Sequence, residues 1–312
     1  MRMLLAIDQS KDSKATIHVL QKLKWPTGSI LIVLHVLPLE NQMAPAREGR
    51  SSQKNLSDTG NSSISIQAAL DQVKKQLGST MLQVETMVVK GIPGQEILNL
   101  IQKKKIDVAV LGSRGLSRIS GLLIGSVSEW VLNDARCSVL IGRPTARKAK
   151  FSSSFKVLLA TDGSPDSWNA VDILKEIGLP AGSMVTVLHV IRKHLYETEQ
   201  CVHRAGMSQA EFAKMTKDLC RDRGSVGVAL LKETRNALSS FSFQVDECLA
   251  LGHEAQEILK MARRQKADLI LVGSTGKTGL RKVFMGSVAH TVSRHAPCSV
   301  LVVRGAKKSS RG

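Results

Sequence analysis

The sequence predicts an α/β protein built from two tandem parallel-sheet domains, and three observations carry that prediction. Apolar runs of Val, Ile and Leu alternate with amphipathic helical patterns along the chain. The whole series occurs twice. A glycine-rich turn of one spacing stands at the same place in each copy: Gly112-Ser-Arg-Gly115, nine residues and Gly125-Ser126, then Gly273-Ser-Thr-Gly276, nine residues and Gly286-Ser287. At 312 residues there is chain enough for two ordinary cores.

In the first half, strands are predicted at Met3–Ile7, Ser29–Val36, Leu82–Val89, Asp107–Gly112 and Ser138–Ile141. Helical patterns fall between them at Asp12–Leu23, Ser65–Leu77, Gln95–Lys104 and Ser126–Asp134. Strands that are almost continuously apolar require cover on both faces, which parallel sheets with right-handed helical crossovers provide. The second half repeats the order, with a longer helical region from Ser208 to Leu238 that Gly224 is expected to break. MLLAIDQS aligns with VLLATDGS and IVLHVL with TVLHVI at an offset of 154. GIPGQEIL, DVAVLGSRG and RCSVLIGR align with GHEAQEIL, DLILVGSTG and PCSVLVVR at 161. The extra residues of the second copy therefore lie between its second and third strands. The expected division is 1–144 and 155–305, with a polar linker at 145–154 and a basic tail at 306–312. The Ser/Asn/Gly-rich segment Arg47–Ser65 is expected to be a mobile loop.

Composition narrows the function classes. Hydrophobic residues make up 43% and charged residues 22%, the range of a globular chain, and with aromatics at 3% the core must be aliphatic. No apolar run approaches the ~20 residues of a membrane span, and the opening MRMLLAIDQS is interrupted by Asp8 and Lys11, so a buried first strand is expected there. The five scattered cysteines form no CxxC and no zinc spacing, which fits reduced thiols in a cytoplasmic protein. The net charge of +18 is shared, +10 up to Lys150 and +8 after it. Solvated helix faces, a linker and a tail account for it better than a nucleic-acid platform, which would interleave aromatics.

In open parallel sheets ligands sit beyond the carboxyl ends of the strands. Asp8 and Asp162 close the first strands, Val36 and Val190 the second, and the glycine turns follow the fourth. A glycine-rich turn leading into a helix is a phosphate cradle, because unpaired N–H groups and the helix dipole converge there. Together these features point to a nucleotide. Each also has a plainer explanation: the aspartates as turn or capping residues, and Ser126 and Ser287 as helix caps alone.

Each half is similar to the universal stress protein domain of the ATP-binding subgroup, whose loop pattern is G-x2-G-x9-G-[S/T]. Both turns fit it, as do GSVSEWVL and PCSVLVVR. The resemblance implies an adenine nucleotide alpha hydrolase-like fold, two doubly wound five-stranded parallel sheets of strand order 3-2-1-4-5. It also implies pairing through the last strands, here an intramolecular pseudo-dimer, with a further homodimer of chains open. By the same resemblance Asp8 and Asp162 bond ribose hydroxyls, and the backbones of Val36 and Val190 meet adenine. Gly112, Arg114, Gly115, Gly125, Ser126, Val127 and Ser128 surround the phosphates of one nucleotide; Gly273, Gly276, Gly286, Ser287 and Val288 surround those of a second. The implied ligand is ATP, ADP or AMP, with Mg2+ accompanying the nucleotide and no metal held by protein side chains.

The two copies are not identical. Gln9 stands where the second has Gly163, and Ser128, whose hydroxyl is placed to reach phosphate, where it has Ala289. Gly276-Lys277-Thr278 lacks the first glycine of a Walker loop, since Leu271 occupies that place in a strand. His35 and His189 are expected to pack strands, and Cys137 and Cys298 to act as small hydrophobes. The expected function is adenine-nucleotide binding in a stress-response sensor. A slow metal-dependent ATPase is the first alternative, and a basic protein contacting nucleic acid or an acidic partner the second.

Overall fold

In a computed structural model, the residues described are 1–8, 10–39, 58–78, 83–114, 124–144, 154–192, 209–276 and 285–305. The first half runs β1 (Arg2–Ala6), α1 (Lys11–Lys22), β2 (Ile30–Leu37), α2 (Asp58–Leu77), β3 (Gln83–Lys90), α3 (Pro93–Lys103), β4 (Val108–Gly112), α4 (Ser126–Asp134) and β5 (Ser138–Gly142). The second runs β6 (Lys156–Ala160), α5 (Pro165–Glu176), β7 (Met184–Arg192), α6 (Gln209–Leu238), β8 (Gln244–Gly252), α7 (Glu254–Gln265), β9 (Leu269–Gly273), α8 (Ser287–His295) and β10 (Ser299–Val303).

The strands form a single ten-stranded sheet, β3-β2-β1-β4-β5-β10-β9-β6-β7-β8. Within each half the pairing is parallel and the order is 3-2-1-4-5. The halves join where β5 meets β10 antiparallel, with Leu140 opposite Leu301, residues that occupy the same place in the two copies. Alternate side chains of every inner strand face opposite layers. Met3, Leu5, Val108 and Val110 pack under α1 and α2, whereas Leu4, Ala109 and Leu111 pack under α3 and α4. Burial on both faces is why these strands are continuously apolar.

Two matched sets of contacts join the halves. Below the sheet, the backbones of Lys24 and Gly178 exchange hydrogen bonds of 2.7 Å in both directions. Above it, Arg143 sends its guanidinium to the carbonyls of Ala296, Ser293 and Arg294 at the end of α8, and Arg304 sends its own to Cys137, Leu132 and Asn133 at the end of α4. A cation at the open carbonyls of a helix C-terminus is favourable, and each half here provides it for the other. Alongside, Glu129 on α4 faces His290 and Arg294 on α8, each at 3.5 Å.

Two expectations are corrected. α2 begins at Asp58, so 58–65 of the segment expected to be a loop are helical; Arg47–Ser57 and residues 145–153 of the linker lie outside the described residues. Extension of a helix already anchored by buried Ile66, Leu70, Val73 and Leu77 costs little per residue. α6 runs unbroken through Gly224 and Gly227. A hydrogen-bonded helix can carry a glycine at about 1 kcal/mol, and buried Leu231 and Leu238 anchor this one. No helix among the described residues is long and apolar enough to cross a membrane.

Candidate functional site

The site of each half begins just beyond its first strand. Ala6 lies opposite Leu34 and Ala160 opposite Leu188. Asp8 and Val36, like Asp162 and Val190, stand two residues further along those strand pairs, and all four are half-buried. The chain turns there because the aspartates serve the local backbone. Asp8 Oδ1 accepts from Ser10 N–H (3.1 Å) and Ser13 hydroxyl (2.8 Å), and Asp162 Oδ1 accepts from Ser164 N–H (2.9 Å). The caps are the serines two residues on: Ser10 accepts from Ser13 N–H and Ser164 from Ser167 N–H, both at 3.3 Å. The strand ends are further fixed by His35 and His189, whose Nδ1 atoms meet the carbonyls of Ile7 and Thr161 at 2.9 and 2.7 Å. These histidines pack strands, as expected.

The glycine turns meet this ridge. Ser10 and Ser164 hydroxyls donate to the carbonyls of Arg114 (3.2 Å) and Thr275 (3.1 Å). Gly125 and Gly286 N–H groups donate to Ser113 and Ser274 carbonyls, both at 2.7 Å, which brings the start of α4 and of α8 back over the strand ends. A Cβ on Gly273 would stand 2.9 Å from the Asp166 backbone, and one on Gly276 2.8 Å from Asp162 Oδ2. The first glycine therefore admits the helix and the second admits the aspartate. Gly115 lies outside the described residues.

Ser126 and Ser287 do not cap. The N-cap residues are Gly125 and Gly286, neither helix has a side-chain cap hydrogen bond, and both serines are exposed at the first helical position. First-turn N–H groups without a side-chain cap are the ready donors of an anion site. Val127 and Val288 follow, half-buried against the core. Ser128 faces inward: it is 7% exposed, and its hydroxyl donates to the Gly112 carbonyl at 2.7 Å. Ala289, buried in the same place, leaves that bond out of the second half.

Sequence reading missed the aspartates that lock these turns. Asp12 accepts from Ser113 hydroxyl at 2.6 Å. Asp166 accepts from Ser274 hydroxyl (2.6 Å), from Thr275 hydroxyl (2.8 Å) and N–H (3.1 Å), and from Gly305 N–H (3.0 Å). Burial pushes the Asp166 carboxyl up, but these bonds outweigh it and hold the group below its ordinary value. The signal was present in the repeats, where Asp12 and Asp166 recur at 154 and Ser113 and Ser274 at 161. Among the described residues no three His, Cys, Asp or Glu side chains cluster as a metal site.

An α/β protein of strand order 3-2-1-4-5, doubled in one chain, with the same strand-end constellation in each copy, is the class that fold and site define. The sequence profile of the universal stress protein family matches twice, over residues 1–143 and 154–304, and the chain belongs to that family. Universal stress protein YxiE of Bacillus subtilis is 29% identical over 149 residues, which are 48% of this chain and 98% of that protein. Universal stress protein MJ0531 of Methanocaldococcus jannaschii is 29% identical over 153 residues, 49% of this chain and 84% of its own. In the crystal structure of a universal stress protein from Archaeoglobus fulgidus the likeness covers 99% of this chain and 97% of that one, with a TM-score of 0.62 at 20% identity, a likeness of fold.

Proposed function

We propose that the chain is an adenine-nucleotide-binding module of the stress response, with one site per repeat. One observation carries the reading: in both halves a strand-end aspartate, a glycine turn and a helix start without a side-chain cap converge on one rim. Asp8 and Asp162 would take the ribose hydroxyls, with Val36 and Val190 beside the base. Gly112, Arg114, Gly115, Gly125 and Ser126, and Gly273, Gly276, Gly286 and Ser287, would take the phosphates. In this reading Val127 and Val288 line the wall behind them, and Ser128 supports the turn through Gly112. ATP is the favoured ligand, its Mg2+ arriving with the phosphates. The joined halves would act as an intramolecular pseudo-dimer of domains 1–144 and 155–305, in a cytoplasmic protein.

The test is mass spectrometry of the supernatant of denatured protein, with calorimetric titration of ATP into wild type, Gly115→Asp and Gly276→Asp. Each variant should lose one of two binding events, because a carboxylate enters the phosphate cradle. Absence of nucleotide affinity at millimolar ATP in all three proteins would overturn the reading.

A further inference from the structure

We infer that the first repeat carries a second ligand site, a groove between α1 and α2 that takes a small organic anion with an apolar body. The groove encloses about 530 Å³, the size of a small-molecule site. Ile7, Ile17 and Val73 form an apolar floor, each less than 8% exposed. Lys14 and His18, one turn apart on α1, stand on one wall, and Gln72 on the other. Gln21 closes an end by donating to the Gln76 carbonyl at 3.0 Å. Buried Ser10 and Ser13 hydroxyls line the inner end.

Among the described residues, no carboxylate lines the groove. Asp8 accepts from Ser10 N–H and from Ser13 hydroxyl behind the inner end of the groove, so the anionic head belongs at the outer end, beside Lys14 and His18. A lysine, a histidine and an amide beside an aliphatic floor match a carboxylate or phosphate headgroup on an apolar body. The second repeat supplies an internal control. Buried Leu70 and Leu77 correspond to buried Leu231 and Leu238, so Ala69 corresponds to Leu230, and Lys14 to Trp168. Trp168 packs against the core there. An aromatic side chain packed on the core in one copy thus stands where the other presents the Lys14 cation. The inference does not depend on the nucleotide reading.

The experiment is fluorescence titration of the full chain with anilinonaphthalene sulfonate, displaced by octanoate, octyl phosphate or octanol. Octanoate or octyl phosphate should displace the probe well below the concentration of octanol required, and whichever is the more potent names the headgroup. Lys14→Gln should weaken the anion about tenfold. Lys14→Trp with Ala69→Leu, which copies the second repeat, should abolish displaceable probe binding while ATP titration stays as in wild type. Octanol as potent as octanoate, or undiminished displaceable binding in the double variant, would overturn the assignment. Should the double variant fail to fold by circular dichroism, the octanoate and octanol comparison on wild type decides alone.

Discussion

Asp166 shows how much of this molecule's order rests on single side chains. Its folded pKa lies below its ordinary 3.8, so its contribution to stability is complete above that value and is lost as pH falls through the lower one. Asp166→Asn should cost about 1 kcal/mol near neutral pH, a modest figure because solvent reaches the group. Denaturant unfolding should show the gap to wild type narrowing as pH falls below about 4; a constant gap would contradict the assignment. Gly276 makes a second test. Gly276→Ala sets a methyl 2.8 Å from Asp162 Oδ2, so that carboxylate must move aside, and calorimetry should show weaker nucleotide binding with little change in melting temperature. The paired positions Asp8/Asp162 and Gly112/Gly273 were legible in the sequence because they recur. The roles of Asp12, Asp166 and Ser128 were not, because a hydroxyl's direction depends on where a strand ends against a helix that starts a hundred residues away.

At the scale of elements, nearly every strand and helix was foreseeable from apolar period, and their bounds moved by one or two residues. The misplaced helices were α2 and α6, whose polar turns are carried by apolar anchors further along the same helix. The arginines were illegible for another reason. Arg143 and Arg304 look like strand-end charges in sequence, yet each is bound to the helix of the opposite half. Burial lowers Arg143 to about 10, which leaves it charged at neutral pH. Arg304→Met should cost about 3 kcal/mol, since it strands the carbonyls of Leu132 and Cys137. Thermal unfolding checks this, and loss below 1 kcal/mol would show those carbonyls to be satisfied otherwise. Beside the arginines, burial pushes the Cys137 thiol up to about 11 and Cys298 to about 12 from 9.0. Between those values the unfolded chain ionises while the folded thiols keep their protons, so stability should fall as pH rises above 9.0. Both thiols should resist a thiol reagent at neutral pH until the protein unfolds.

At the scale of the whole molecule, the repeat predicted two sheets and the structure holds one. The merger was readable only through resemblance, since nothing in an apolar strand says whether its partner comes from its own half. A continuous sheet with reciprocal arginines makes separate melting of the halves unfavourable. Calorimetry should therefore record one cooperative transition with calorimetric and van't Hoff enthalpies in agreement; two resolved transitions would show the halves to be independent. The charges above the join are also unlike: Glu129 belongs to the first half and Arg294 to the second, with His290 beside them. Glu129→Arg should lower the melting temperature by a few degrees, and His290→Glu in the same chain should recover part of it. The antiparallel meeting of β5 and β10 has a directional outcome. Because the strands of one half run against those of the other, the two strand-end rims open towards opposite sides of the molecule. A flat partner can cover one mouth at a time, whereas two partners can be held back to back, and a message from one mouth to the other has to cross the join, through the β5–β10 ladder, the two arginines, Glu129 or the Lys24–Gly178 bridge.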